Sequence, residues 1–153
     1  MKIRILWVGK TQEEWLRRGI EEYAGRVARY VHLEISEARE EKGGDTKSMR
    51  EREGARLEKL VPRNALIILL DERGDEMSSF EFAGFLANCR ANGSGDLVFA
   101  VGGAYGFSEK FRARANKTIA LSRMTFTHQM VRVFLLEQIY RGFSILNNEP
   151  YHH

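Results

Sequence analysis

The sequence predicts an α/β protein built on a largely parallel sheet. Short runs rich in β-formers alternate along the chain with stretches of helical spacing. Two of those runs, ALIILL at 65–70 and LVFAV at 97–101, are apolar throughout, as strands covered on both faces are. Loops carrying glycine close the first, third and fourth runs, as strand ends require. At 153 residues the chain has the size of one domain, 1–153, able to bury a core without disulfides or metals.

KIRILWV alternates and predicts a strand over 2–8, broken at Gly9. Residues 12–28 follow with helical spacing, placing Trp15, Leu16, Ile20, Tyr23 and Val27 on one side. VHLEIS (31–36) reads as a second strand. After a Gly-containing loop, Asp45 or Thr46 caps a helix running to Leu60, before Pro62. The 65–70 strand ends at Asp71 and Gly74. Ser78 and Glu81 have capping-box spacing, so a helix starts there and turns Phe82, Phe85 and Leu86 inward. NGSGD (92–96) is a turn before the 97–101 strand and its glycine loop. Ser108 caps another helix, residues 118–121 form a last strand, and a closing helix follows.

Composition removes several function classes. No apolar run approaches membrane-spanning length and the N-terminus lacks signal-peptide character, which fits a cytoplasmic protein without a membrane partner. Cys89 is the single cysteine, without neighbouring Cys or His ligands, so it reads as a small helix filler and no metal is expected. Net charge is +3, too small to demonstrate a polyanionic partner. After Phe107 the chain turns basic, with Lys110, Arg112, Arg114, Lys117, Arg123, Arg132 and Arg141 against Glu109, Glu137 and Glu149, so any polyanion contact is expected in the last third.

Ligands of open α/β sheets bind beyond the carboxyl ends of the strands, which directs attention to the loops after Leu70, Val101 and Leu121. VGGAYG is not a dinucleotide fingerprint, since Val101 stands where the first glycine is needed, and no phosphate-loop motif occurs. Gly102 and Gly103 serve either a turn or the close approach of a flat ligand. Asp71 is either catalytic or the first residue of an Asx turn. LSRMTF has no nucleophile elbow, so hydrolase chemistry is not indicated. The closing helix is apolar on nearly every side, which demands cover from a second subunit. On it, Glu137 and Arg141 lie at i,i+4 and form either an ion pair or part of a ligand site. His128 and Arg132 form another such pair, with no acid at helical spacing, which points to an anionic ligand.

KIRILWVGK, LLDERGDEMSSFEFA, FAVGGAYGFS and LSRMTFTHQMVRVFLLEQIYRGFSILNNEPYHH together resemble the bacterial large-subunit rRNA pseudouridine N3-methyltransferase family of the SPOUT, or α/β-knot, superfamily. The resemblance spans essentially the whole chain. It implies a homodimer with a C-terminal trefoil knot that binds S-adenosyl-L-methionine and methylates N3 of a pseudouridine in 23S rRNA, within the ribosome. It assigns the cofactor to Leu70, Gly102, Leu121, Ser122, Arg123, Met124, Thr125 and Phe126. Arg132, Arg141, Tyr151 and His152 are then expected to face RNA, with Arg132 and His152 catalytic: Arg132 beside the charge that develops on the base, His152 as proton acceptor or stacking partner. The family often ends on a lysine or arginine after Tyr-His, whereas this chain ends on His153. Ala104 and Tyr105 receive no role. Two other functions compete, a non-catalytic RNA- or ribosome-binding protein of the same fold and a small enzyme acting on free nucleotides.

Overall fold

A computed structural model describes residues 1–93 and 95–153. Ten elements follow one another: β1 (Lys2–Val8), α1 (Glu14–Val27), β2 (His32–Ala38), α2 (Thr46–Leu60), β3 (Leu66–Glu76), α3 (Ser79–Ala91), β4 (Leu97–Val101), α4 (Glu109–Arg114), β5 (Lys117–Ala120) and α5 (His128–Leu146). The strands form one sheet in the order β2-β1-β4-β3-β5, and every pairing is parallel. Each strand end is therefore on the same edge of the sheet, which is where α/β folds collect their ligands.

Alternation along each strand divides the core in two. Ile3, Ile5 and Trp7 join Ile68, Phe99 and Val101 under α1, α3 and α5. Leu6 and Val8 join Ile67, Leu69, Val98 and Ala100 under α2 and α4. Helix starts follow the local chemistry of their caps: Asp45 accepts from the Ser48 N–H, Ser108 from Phe111, and Thr127 from Met130. The Ser78–Glu81 capping box is complete in both directions. Of the expected NGSGD turn, Ser94 lies outside the described residues.

One boundary differs. β3 runs to Glu76 rather than stopping at Leu70, with an irregularity between Leu70 and Asp75 before Asp75 and Glu76 pair with Ile119 and Ala120 of β5. DERGDE has no apolar periodicity, and its extended state is imposed by the neighbouring strand. Gly74 is required there. A Cβ at that position would stand 2.7 Å from three main-chain atoms of Thr118 and Ile119. Gly74→Ala is expected to lower unfolding free energy by about 2–3 kcal/mol in urea titrations, as overpacking against rigid backbone does; an unchanged midpoint would refute the tight crossing.

Candidate functional site

The carboxyl ends of β3, β4 and β5 open into one broad cavity of about 1930 Å³. Leu70, Gly102, Leu121, Ser122, Met124, Thr125 and Phe126 all line it. Arg123, the eighth residue of that expected group, instead sends its side chain out to Glu76, Nε to Oε1 3.3 Å. Two properties make the cavity a ligand cradle. From Ser122 to Phe126 the one main-chain hydrogen bond among the described residues is Met124 N–H to Ser122 Oγ, so this backbone still has donors and acceptors to offer. Opposite, residues 103–106 close a tight turn through the Gly106 N–H to Gly103 O bond, 3.0 Å, with Gly106 at φ +80°. Leu70, Val101, Leu121 and Phe126 supply apolar wall. That mixture of free main chain and apolar surface suits a ligand with polar edges and apolar parts.

Asp71 adopts the Asx turn, accepting from the Arg73 N–H at 2.9 Å, and it also pairs with the guanidinium of Arg112. Burial pushes its carboxyl up, but the hydrogen bonds from Arg73 and Arg112 outweigh this and hold it well below the usual carboxylate range. Its carboxylate is thus tied to loop structure.

Arg132 departs most from expectation. It is fully buried, donates to Val8 O (2.7 Å), Gly9 O (3.0 Å) and Thr11 Oγ1 (2.9 Å), and lies over the Trp7 ring at 4.8 Å. The absence of an acid at helical spacing points, in the sequence alone, to an anionic ligand. Carbonyls at the end of β1 take that place, so Arg132 does not face RNA in this subunit. Burial lowers its pKa to about 10, with Glu37 and Glu40 working the other way. Gln129 adds bonds to Lys10 O and the Gln12 N–H, so the start of α5 is fastened to the β1–α1 loop. The neighbouring His128 is lowered by burial and by Arg132.

Glu137 and Arg141 form the ion pair, with two guanidinium nitrogens at 3.1 and 2.6 Å from Oε1. The tail folds back onto them. Tyr151 donates to Glu137 Oε1 at 3.0 Å and stacks under the Arg141 guanidinium at 4.6 Å. Burial, then bonds with Tyr23 and Glu137, raise its phenol. His152 receives a bond from Arg141 and meets the exposed ring of Phe80 edge-on, centroids 4.7 Å apart. Neither Phe80 nor its pairing was legible in the sequence. Arg141, Tyr151 and His152 do not line the cavity. Thirteen residues of helix, about 20 Å, separate Arg141 from His128 at the cavity rim.

A family profile described as "Predicted SPOUT methyltransferase" matches residues 1–152. The chain belongs to the SPOUT methyltransferase family. Curated relatives called ribosomal RNA large subunit methyltransferase H align over all 153 residues: 70% identical in Geotalea uraniireducens and 67% in Geobacter sulfurreducens, each covering the whole of both chains. In Trichlorobacter lovleyi a relative of that name is 55% identical, again over both full lengths. A solved structure, a probable methylase family protein from Haemophilus influenzae, superposes with a TM-score of 0.56 at 11% identity. It covers 95% of this chain and 66% of that one, a likeness of fold. The parallel sheet with flanking helices is thus that of a SPOUT methyltransferase, as the sequence reading expected. Among the described residues no helix is long and apolar enough to cross a membrane, and no group of three potential metal ligands occurs.

Because the folded state holds Asp71 ionised, its contribution to stability is complete above the unfolded carboxylate's pKa and is lost as pH falls below about 4. Thermal melts across pH 2–7 should show Asp71→Asn to be less stable than wild type near neutrality, with the difference shrinking in acid. Parallel melting curves would contradict the assignment.

Proposed function

We propose that this SPOUT methyltransferase transfers a methyl group from S-adenosyl-L-methionine to N3 of a pseudouridine in 23S rRNA, in the cytoplasm and on the assembled ribosome. The observation that carries the reading is the cavity, where seven of the eight cofactor residues implied by the resemblance meet around unspent main chain. The names of the full-length relatives support large-subunit rRNA as substrate. The cofactor's sulfonium supplies an activated methyl, so the protein has to orient the base and manage one proton and the charge it leaves behind. Leu70, Leu121 and Phe126 would hold the apolar parts of the cofactor, with the main chain of Gly102 and 122–126 at its polar edges.

A second subunit completes the site in this reading. Trp15 and Met124 are exposed beside the cavity, 60% and 74%, and Phe126 at its rim meets Phe134 at a tilt, centroids 5.1 Å apart. That patch is the apolar excess for which the helix pattern demanded cover. A homodimer that buries it also offers a way to bring Arg141, Tyr151 and His152 of one subunit to the cavity of the other. The C-terminal trefoil knot belongs to the same proposal. Arg132 enters as the residue that fixes α5 and its preceding loop, not as a phosphate ligand.

Labelled methyl groups should pass from the cofactor to ribosomes, with the product nucleoside mapping to N3 of a pseudouridine. Labelling of naked rRNA alone would reject recognition of the particle, and absence of any cofactor heat in calorimetry would favour the non-catalytic RNA-binding reading. Activity on free nucleosides would revive the small-enzyme reading. Phe134→Glu should convert the dimer into a 17.6 kDa monomer in light scattering and remove methyl transfer; an active monomer would refute the shared site.

A further inference from the structure

We propose that His152 acts as a hydrogen-bond donor to a carbonyl oxygen of the target base, rather than as the base that takes its proton. The inference rests on the methyl-transfer reading above and on one constraint of hydrogen-bond chemistry. Arg141 Nη1 lies 3.1 Å from His152 Nδ1. A guanidinium has donors only, so Nδ1 must accept, with its lone pair directed at Arg141. The imidazole is then neutral and carries its single proton on Nε2. An N–H at Nδ1, in the other tautomer or in the imidazolium, would point at the N–H of a cation.

The surroundings keep this arrangement from relaxing. Glu137 Oε1 receives two guanidinium nitrogens, at 3.1 and 2.6 Å, and the Tyr151 ring lies against the guanidinium face. Arg141 therefore cannot turn to present another group. Phe80 fixes the imidazole plane at 89° to its own ring. Nε2 has no hydrogen-bond partner among the described residues, which leaves its N–H as a polar group the tail can offer.

A donor in that place suits the reaction. When N3 loses its proton to water, the negative charge spreads to the two carbonyl oxygens flanking it. A fixed N–H directed at one of them stabilises the anion more than the neutral base, which is how a donor accelerates a step. Arg141 is in this scheme a positioning residue, setting the tautomer through Nδ1.

Nitrogen NMR of the dimer labelled in histidine tests the tautomer without reference to activity. His152, assigned by loss of its signals in His152→Gln, should show a pyridine-type Nδ1 and a protonated Nε2, and Arg141→Met should abolish that preference. Methyl transfer to ribosomes supplies the second readout. His152→Gln, whose amide reaches the Nε2 position, should lose less than about tenfold, whereas His152→Ala and His152→Asn should lose about 100-fold, the value of one such donor. A protonated Nδ1 in wild type would overturn the proposal, as would a Gln variant no faster than Ala. If the wild type methylated no rRNA at all, the methyl-transfer reading would fall instead, while the nitrogen shifts still decided the tautomer.

Discussion

The burial of Arg132 fixes the geometry on which both ends of α5 depend. Removing a guanidinium from water without a carboxylate to hold it is costly, and the cost is offset by two carbonyls, a hydroxyl and the face of Trp7. All of these lie at the end of β1 or just beyond, so the cation can be satisfied only when α5 is docked in one position against that strand. Gln129, one turn earlier, binds Lys10 and Gln12 of the same loop. With its first turns fastened, the helix sets where the 121–127 segment enters the cavity and where the tail leaves.

Those two ends have different electrostatic characters. The cavity end presents free main chain and apolar surface, suited to a cofactor with few formal contacts. The tail end is a network in which Glu137, Arg141, Tyr151 and His152 Nδ1 bond to one another and His152 Nε2 is left over, with Tyr30 bonded to Glu149 to hold the fold-back. A single rigid helix cannot bend to join them, and Trp15 and Phe126 are exposed at the cavity end. The proposed homodimer would answer the problem by symmetry, because an isologous contact places a tail of one copy and a cavity of the other in the same relation twice.

Much of this was legible in the chain, and the limits follow a physical pattern. Strand alternation, the three caps and the i,i+4 pair Glu137–Arg141 depend on neighbours within a few residues, and each came through. The extension of β3 did not, because Asp75 and Glu76 are extended only through pairing with residues more than forty positions away. Arg132 was misread for the same reason. Its partners lie more than 120 residues earlier, and two are carbonyls, which every residue possesses and no composition reveals. The cavity residues could be located by the strand-end rule, but their assignment to a particular cofactor came from resemblance. Phe80 against His152 left no signal, since an aromatic residue at the second position of a helix has no fixed meaning.

The basic last third carries a related lesson about charge. Of its seven cations, Arg112, Arg114, Lys117, Arg123 and Arg141 are paired with Asp71, Glu58, Asp75, Glu76 and Glu137, and Arg132 is buried. Lys110 alone has no acidic partner among the described residues. Affinity for nucleic acid grows with the number of cations free to displace counterions from phosphates, and one free cation in this segment gives little of it. Selectivity in this segment then has to come from shape and from a few directed polar groups. In the proposed homodimer, a large folded particle would present many contact points to a two-fold surface, where an isolated strand presents few.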